Sequence, residues 1–165
     1  VSRIESNRLQ VRLESVDVQK VLEGLVKFLE VKAKEKNVAL VYIPASLAMM
    51  VNVDVEKIKE VFMNLLDNAI KYTDKGSVTV AVRSEEQNVR IDVSDTGHGL
   101  TKEDQEKLFQ KFVTGSASKN VRTTTGLGLY VVKKLVEAMH GTVVAESSGA
   151  EKGSMFTVRF PQIIS

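Results

Sequence analysis

The sequence predicts an α+β two-layer sandwich: a mixed, largely antiparallel sheet covered on one face by three main helices. Three observations lead there. Segments at about 17–36, 54–73 and 126–140 carry apolar residues at helical spacing. Short β-rich runs lie between them in hairpin-like pairs. A chain of 165 residues, 43% of them hydrophobic, is long enough for one compact core.

Residues 1–14 read as the polar end of a helix, with Ile4, Leu9 and Leu13 among charges. Asp17 can cap a helix running to about Lys36, with Val18, Val21, Leu22, Leu25, Phe28 and Leu29 on one face. Val38–Ile43 is a strand that Pro44 ends, and Ala48–Val53 is a second short one. The next helix runs from Asp54 to Thr73 and buries Ile58, Val61, Phe62, Leu65, Leu66, Ala69 and Ile70. Asp74-Lys-Gly76 is a turn. Ser77–Arg83 and Val89–Asp95 alternate as strands around a Glu85-Glu-Gln-Asn88 loop. Thr101-Lys-Glu-Asp104 resembles a capping box opening a short helix to about Phe109. Gln110–Thr125 is polar and aperiodic. The last helix, about Gly126 to His140, turns Val131, Val132, Leu135, Val136 and Met139 inward. Thr142–Glu146 and Ser154–Phe160 close the chain as strands.

A net charge of +2 is too even to indicate a nucleic-acid partner. Without cysteine there is no disulfide framework, thiol nucleophile or thiolate metal site. The longest apolar region, Val38–Val53, is interrupted by Pro44, Ser46 and Asn52, which argues against a membrane span. No signal peptide is evident, and a first residue of Val1 reads as a piece of something longer.

Five stretches could carry chemistry. Advancing about 100° per residue, Asn64, Asn68 and Lys71 share a stripe beside the apolar face of their helix, with Tyr72 between stripe and core. Amide carbonyls suit a hard cation and an ammonium suits phosphate; a solvated flank would look the same. Asp95 ends a strand on the core-facing parity of Val89, Ile91 and Val93, so its carboxylate needs donors, for which a purine amino group is one candidate. Gly97 and Gly99 would let backbone approach a flat ligand, although an ordinary Asp-Thr-Gly turn also fits. His98 reads as a loop residue, not a base, since no orienting carboxylate lies at local spacing.

Thr124, Thr125, Gly126, Leu127, Gly128 and Leu129 open the last helix, where exposed amides and the dipole favour phosphate. A dinucleotide-binding reading fails, since no strand precedes the glycines and Val131 takes the third glycine position. The 100–126 segment, with Phe109, Lys111, Phe112, Lys119 and Arg122, reads either as a lid over a phosphate tail or as a surface loop. By parity Ser154 faces the same way as Phe156, Val158 and Phe160, towards the floor of such a pocket.

Taken together in order and spacing, these stretches resemble the ATP-binding catalytic domain of sensor histidine kinases. That domain shares a superfamily with gyrase, the ninety-kilodalton heat-shock chaperone and the mismatch-repair ATPase. Asn64-x-x-x-Asn68-Ala-x-Lys71-Tyr72 resembles the N box, Asp95-x-Gly97-x-Gly99 the G1 box and Leu108-Phe109-x-x-Phe112 the F box. Gly126-Leu-Gly128-Leu129 resembles the G2 box and Gly153-Ser154-Met-Phe156 the last glycine box. The likeness covers about residues 17–161 and implies a Bergerat-type ATP-binding fold over 17–165. Residues 1–16 resemble the end of a dimerisation helix and its linker.

The resemblance implies that Asp95 meets the adenine amino group, that Asn68 and Asn64 hold Mg²⁺, and that Lys71 contacts phosphate. It implies that Tyr72 packs by the base or ribose, that Gly126, Gly128 and Thr125 cradle phosphates, and that Arg122 meets the terminal phosphate. ATP and Mg²⁺ are then the implied ligands, with Asn64, Lys71 and Arg122 in the catalytic set. His98 and His140, the chain's two histidines, both lie outside the family's phosphoacceptor context. The implied acceptor is a histidine on a dimerisation domain elsewhere, followed by an aspartate of a response regulator. The fragment is expected to be a monomeric cytoplasmic domain, and its parent a homodimer that can be membrane-anchored. The runner-up is a superfamily ATPase or chaperone-type clamp. That reading needs a Glu at the first N-box position, where Asn64 stands; Glu60 would supply it only in a register shifted by one turn. A serine-kinase anti-sigma relative or a nucleotide-sensing module is the other alternative.

Overall fold

The computed structural model describes residues 10–110 and 128–163. In chain order the elements are strand β1 (Glu14–Asp17), helix α1 (Val18–Glu35), strands β2 (Val38–Ile43) and β3 (Met50–Val53), and helix α2 (Val55–Lys71). Strands β4 (Gly76–Glu85) and β5 (Asn88–Asp95) follow, then helices α3 (Lys102–Lys107) and α4 (Gly128–Ala138), and strands β6 (Thr142–Glu146) and β7 (Ser154–Pro161).

Five strands form one mixed sheet in the order β2-β4-β5-β7-β6, antiparallel except for the parallel β2–β4 pair. Register lines the apolar positions up in rows across it. Val80, Val93, Phe156 and Ala145 are mutual partners, as are Val82, Ile91, Val158 and Val143. Helices α1, α2 and α4 cover this face, and α2 lies between the other two. The predicted sandwich is therefore the observed one.

Local chemistry sets the ends of the two long helices. Asp17 caps α1 by accepting from Gln19 N, and Asp54 caps α2 by accepting from Glu56 N and Lys57 N. The other oxygen of Asp54 accepts from Arg12 N at 2.9 Å, which ties the incoming chain to the start of α2. That bond, with the cap bonds and nearby Lys57, holds the Asp54 carboxyl below its ordinary range. At the far end of α2, Lys36 Nζ donates to the carbonyls of Ile70 and Lys71, placing a cation on the negative end of the helix.

Three expectations need correction. The stretch 1–14, expected to end a helix, is not helical over 10–13, its first nine residues lying outside the described ones, and Glu14 opens a strand: β1 pairs antiparallel with β3, Val16 opposite Val51. Strands β2 and β3 do not form a hairpin. Pro44 cannot donate to a ladder, so the chain leaves the sheet there, and β2 takes β4 as its parallel neighbour. On α1 the buried stripe is Val18, Leu22, Val26, Leu29 and Ala33, whereas Phe28 is 70% exposed. That stripe is set by where β2 and α2 lie, which the residue pattern of α1 alone does not fix.

Candidate active site

The last two turns of α2 carry Asn64, Asn68 and Lys71, and Tyr72 is the C-cap. Asn64 and Asn68 are half-buried and Lys71 is exposed. The Asn64 side-chain amide donates to Glu60 O at 2.9 Å, which fixes the amide plane and presents its carbonyl oxygen as an acceptor. Asn68 accepts the Tyr72 N–H through its backbone oxygen at 2.9 Å. Lys71 Nζ sits 5.7 Å from the Tyr72 ring centroid.

Asp95 ends β5 and is 7% exposed. One carboxylate oxygen accepts from Gly97 N and the other from Ser154 Oγ, each at 2.9 Å. Ser154 is the register partner of Asp95, so β5 and β7 bring the two together across the sheet. Phe156, on the same face of β7 as Ser154, meets Phe109 edge-on, with ring centroids 6.2 Å apart. Lys133 of α4 stands 5.6 Å over the Phe109 ring, a contact that the sequence did not signal.

The loop after Asp95 is bolted on two sides. On one, His98 N donates to Tyr72 O at 3.0 Å, and a Cβ on Gly97 would come within 2.2 Å of that same carbonyl oxygen. Only glycine allows this approach to the end of α2. On the other side, Gly153 N donates to Gly97 O at 3.1 Å, Glu151 N donates to His98 O, and Leu100 N donates to Ser147 Oγ at 3.0 Å. Gly99, at φ +71°, meets Gly149 O so closely that a Cβ would lie 2.2 Å from it. Ser147, which carries no signal in the sequence, also donates to Gly153 O at 2.6 Å. A cleft of about 360 Å³ beside this anchor is lined by Asp95, Glu146, Ser147, Ser148, Lys152, Gly153, Ser154 and Met155.

His98 differs from expectation. Its Nε2 lies 2.7 Å from Asp74 Oδ2, so an orienting carboxylate is present, 24 positions earlier in the chain. Sequence proximity could not reveal a pair assembled by two loops. That hydrogen bond, and then the charge of His98, hold the Asp74 carboxyl below its ordinary range.

The fold therefore sets Tyr72, at the end of the helix that carries Asn64, Asn68 and Lys71, against the loop of Asp95, Gly97 and Gly99, and sets Ser154 against Asp95. Gly128 and Leu129 begin α4, with Leu129 buried. Phe112, Arg122, Thr124, Thr125, Gly126 and Leu127 lie outside the described residues, as do Lys111 and Lys119. Among the described residues no cluster of His, Asp or Glu could hold a metal ion. A hard cation here would depend on amide oxygens, water and phosphate, and the two asparagines fit that donor set. No helix among the described residues is long and apolar enough to cross a membrane.

The fold is a two-layer sandwich with a buried aspartate at the end of a central strand, and the loop after that aspartate is bonded to the end of the amide-bearing helix. Residues 53–164 match the family described as histidine kinase-, DNA gyrase B-, and HSP90-like ATPase, and the chain belongs to that family. The virulence sensor protein BvgS of Bordetella parapertussis is 34% identical over 155 residues, covering 90% of this chain and 12% of its own length. The sensor histidine kinase RcsC of Escherichia coli is 31% identical over 162 residues, covering 97% of this chain and 17% of its own length. The chain thus spans a small part of the curated relatives it matches. Full-length ShkA, solved in complex with AMPPNP, superposes with a TM-score of 0.86 over 99% of this chain and 34% of its own, at 24% identity. That likeness concerns the fold.

Proposed function

We propose that this chain is the catalytic domain of a sensor histidine kinase, which binds Mg-ATP and hands the terminal phosphoryl group to a histidine on a dimerisation domain. The buried carboxylate of Asp95 carries the reading. Donors on both of its oxygens fix it at the end of β5, where an adenine amino group is a fitting further donor. Tyr72 would pack against the base or ribose. Asn68 and Asn64 would hold Mg²⁺, which when bound neutralises phosphate charge. Lys71 would meet phosphate oxygens, the backbone around Gly126 and Gly128 would cradle them with Thr124 and Thr125, and Arg122 would meet the terminal phosphate. Phosphoryl transfer depends on such positioning and charge neutralisation more than on covalent help from the protein.

Asn64 supports transfer to a protein side chain over hydrolysis, because an amide cannot take a proton from water as a carboxylate would. Neither His98, held by Asp74, nor His140 at the end of α4 stands in an acceptor context. The acceptor histidine and the response-regulator aspartate that next receives the phosphate would lie on other segments or chains. The domain would work in the cytoplasm as part of a homodimeric parent, with residues before about 17 leading in from the dimerisation helix.

Calorimetry with ATP, with and without Mg²⁺, tests this. Wild-type protein should bind at micromolar to millimolar levels, more tightly with the metal, and should not label itself. Asp95→Asn should weaken binding by about 10- to 100-fold, the cost of losing a charged acceptor. Unchanged affinity in that variant would remove Asp95 from the base site.

A further inference from the structure

The sequence dismissed His98, and the proposed chemistry does not use it. Yet its position is defined on three sides. Its backbone N–H is taken by Tyr72 O and its carbonyl by Glu151 N. Its ring packs edge-on against Tyr72, with centroids 6.2 Å apart, and its Nε2 reaches Asp74 Oδ2 at 2.7 Å. Asp74 belongs to the turn that follows α2, whereas His98 belongs to the loop that follows Asp95. The pair therefore ties the amide-bearing helix to the segment that carries the carboxylate.

We infer that His98 is a positioning residue: its bond to Asp74 sets the Asp95 loop against the end of α2 and so tunes affinity for adenine nucleotides. This rests on the nucleotide reading given above. His98 acts through the loop and touches no reacting atom. An imidazolium–carboxylate bond is stronger than the hydrogen bond of a neutral imidazole. The charged groups around it are Asp74 and Lys75 of the same turn, Lys36 at the end of α1, which acts on Asp74, Lys71 beside the Tyr72 ring, and Glu151 and Lys152 of the β6–β7 loop. Asp74 is the one within hydrogen-bond distance of the ring among these.

The test is ADP affinity by calorimetry at about pH 6 and about pH 8.5. Wild type is compared with His98→Gln, His98→Ala, Asp74→Asn and the His98→Ala/Asp74→Asn double variant. Protonation of the nucleotide phosphates cancels in each ratio to wild type. Wild type should bind about two- to fivefold more tightly than His98→Gln at the lower pH, the range of an exposed ion pair, with the gap narrowing at the higher pH. The double variant should be no weaker than His98→Ala alone. A ratio that stays flat with pH, with Asp74→Asn binding like wild type, overturns the inference while leaving the nucleotide reading intact. A parallel fall in unfolding midpoint with a flat ratio overturns it too, since that marks a purely structural bond. If wild type binds no nucleotide at all, the reading and the inference fall together.

Discussion

At the residue scale, the site is built by close backbone approach more than by side-chain bulk. Gly97 leaves no room for a methyl group, because its Cβ position lies 2.2 Å from Tyr72 O and 2.8 Å from Thr73 Oγ1. Thr73 cannot easily yield, since it is fully buried and its hydroxyl donates to Ala69 O at 2.8 Å. Gly97→Ala should therefore destabilise the domain by about 1–3 kcal/mol, an overpacking cost, and weaken nucleotide binding beyond that loss. Urea titration with parallel calorimetry checks both, and an unchanged midpoint would contradict the approach described. Much of this was legible in advance. Asp95 on the core-facing parity of β5 and Ser154 on that of β7 followed from strand alternation alone. The Ser154–Asp95 and His98–Asp74 bonds were not readable, because they join positions 59 and 24 residues apart that only the topology brings together.

At the element scale, the helices were predictable where one face dominates. The buried residues of α2 are the seven that the spacing singled out, and its caps stand at Asp54 and Tyr72. Strand β1 was not, because Glu-Ser-Val-Asp holds a single apolar residue and takes its conformation from β3. Helix α1 shows the same limit from the other side, since adjacent apolar stripes compete for the core. Leu29 is 3% exposed and Phe28 70%. Leu29→Ala should cost about 2–5 kcal/mol, as buried leucines do, whereas Phe28→Ala should change stability by less than about 0.5 kcal/mol. Thermal or urea unfolding of the two variants separates them, and equal losses would place Phe28 in the core after all.

At the scale of the whole molecule, the face of the sheet away from the helices carries an ionic network. Glu85 accepts from Arg90 Nη1 on one oxygen and from Arg159 Nε on the other, each at 2.7 Å. Arg90 also holds Asp92, which accepts from the buried Thr157 hydroxyl at 2.6 Å. These contacts span β4, β5 and β7. The arginine hydrogen bonds, that of Arg159 first, depress the Glu85 carboxyl from its ordinary 4.5 to about 2. A depressed carboxylate stabilises the fold fully above its unfolded value, and the contribution fades as pH falls through the folded one. Glu85→Gln should thus be less stable than wild type at neutral pH, and the gap should close between about pH 4.5 and about pH 2. Denaturant midpoints across that window check the sign, and a gap that widens in acid would reverse it.

The pairing of β5 with β7 bears on the order in which the protein assembles. Strands β4 and β5 are joined by the two residues Glu86 and Gln87, so they can zip early. Strand β7 must return across 59 residues before Ser154 can reach Asp95, and closing so long a loop is slow. The Asp95 carboxylate therefore gains its hydroxyl partner late. Refolding from urea should show core burial ahead of nucleotide-binding competence, so a binding signal that kept pace with burial would count against this sequence of events. A chain stalled before that final closure would hold much of its helical structure yet expose a bare carboxylate on an incomplete sheet, with the unpaired edge of β5 open to other chains.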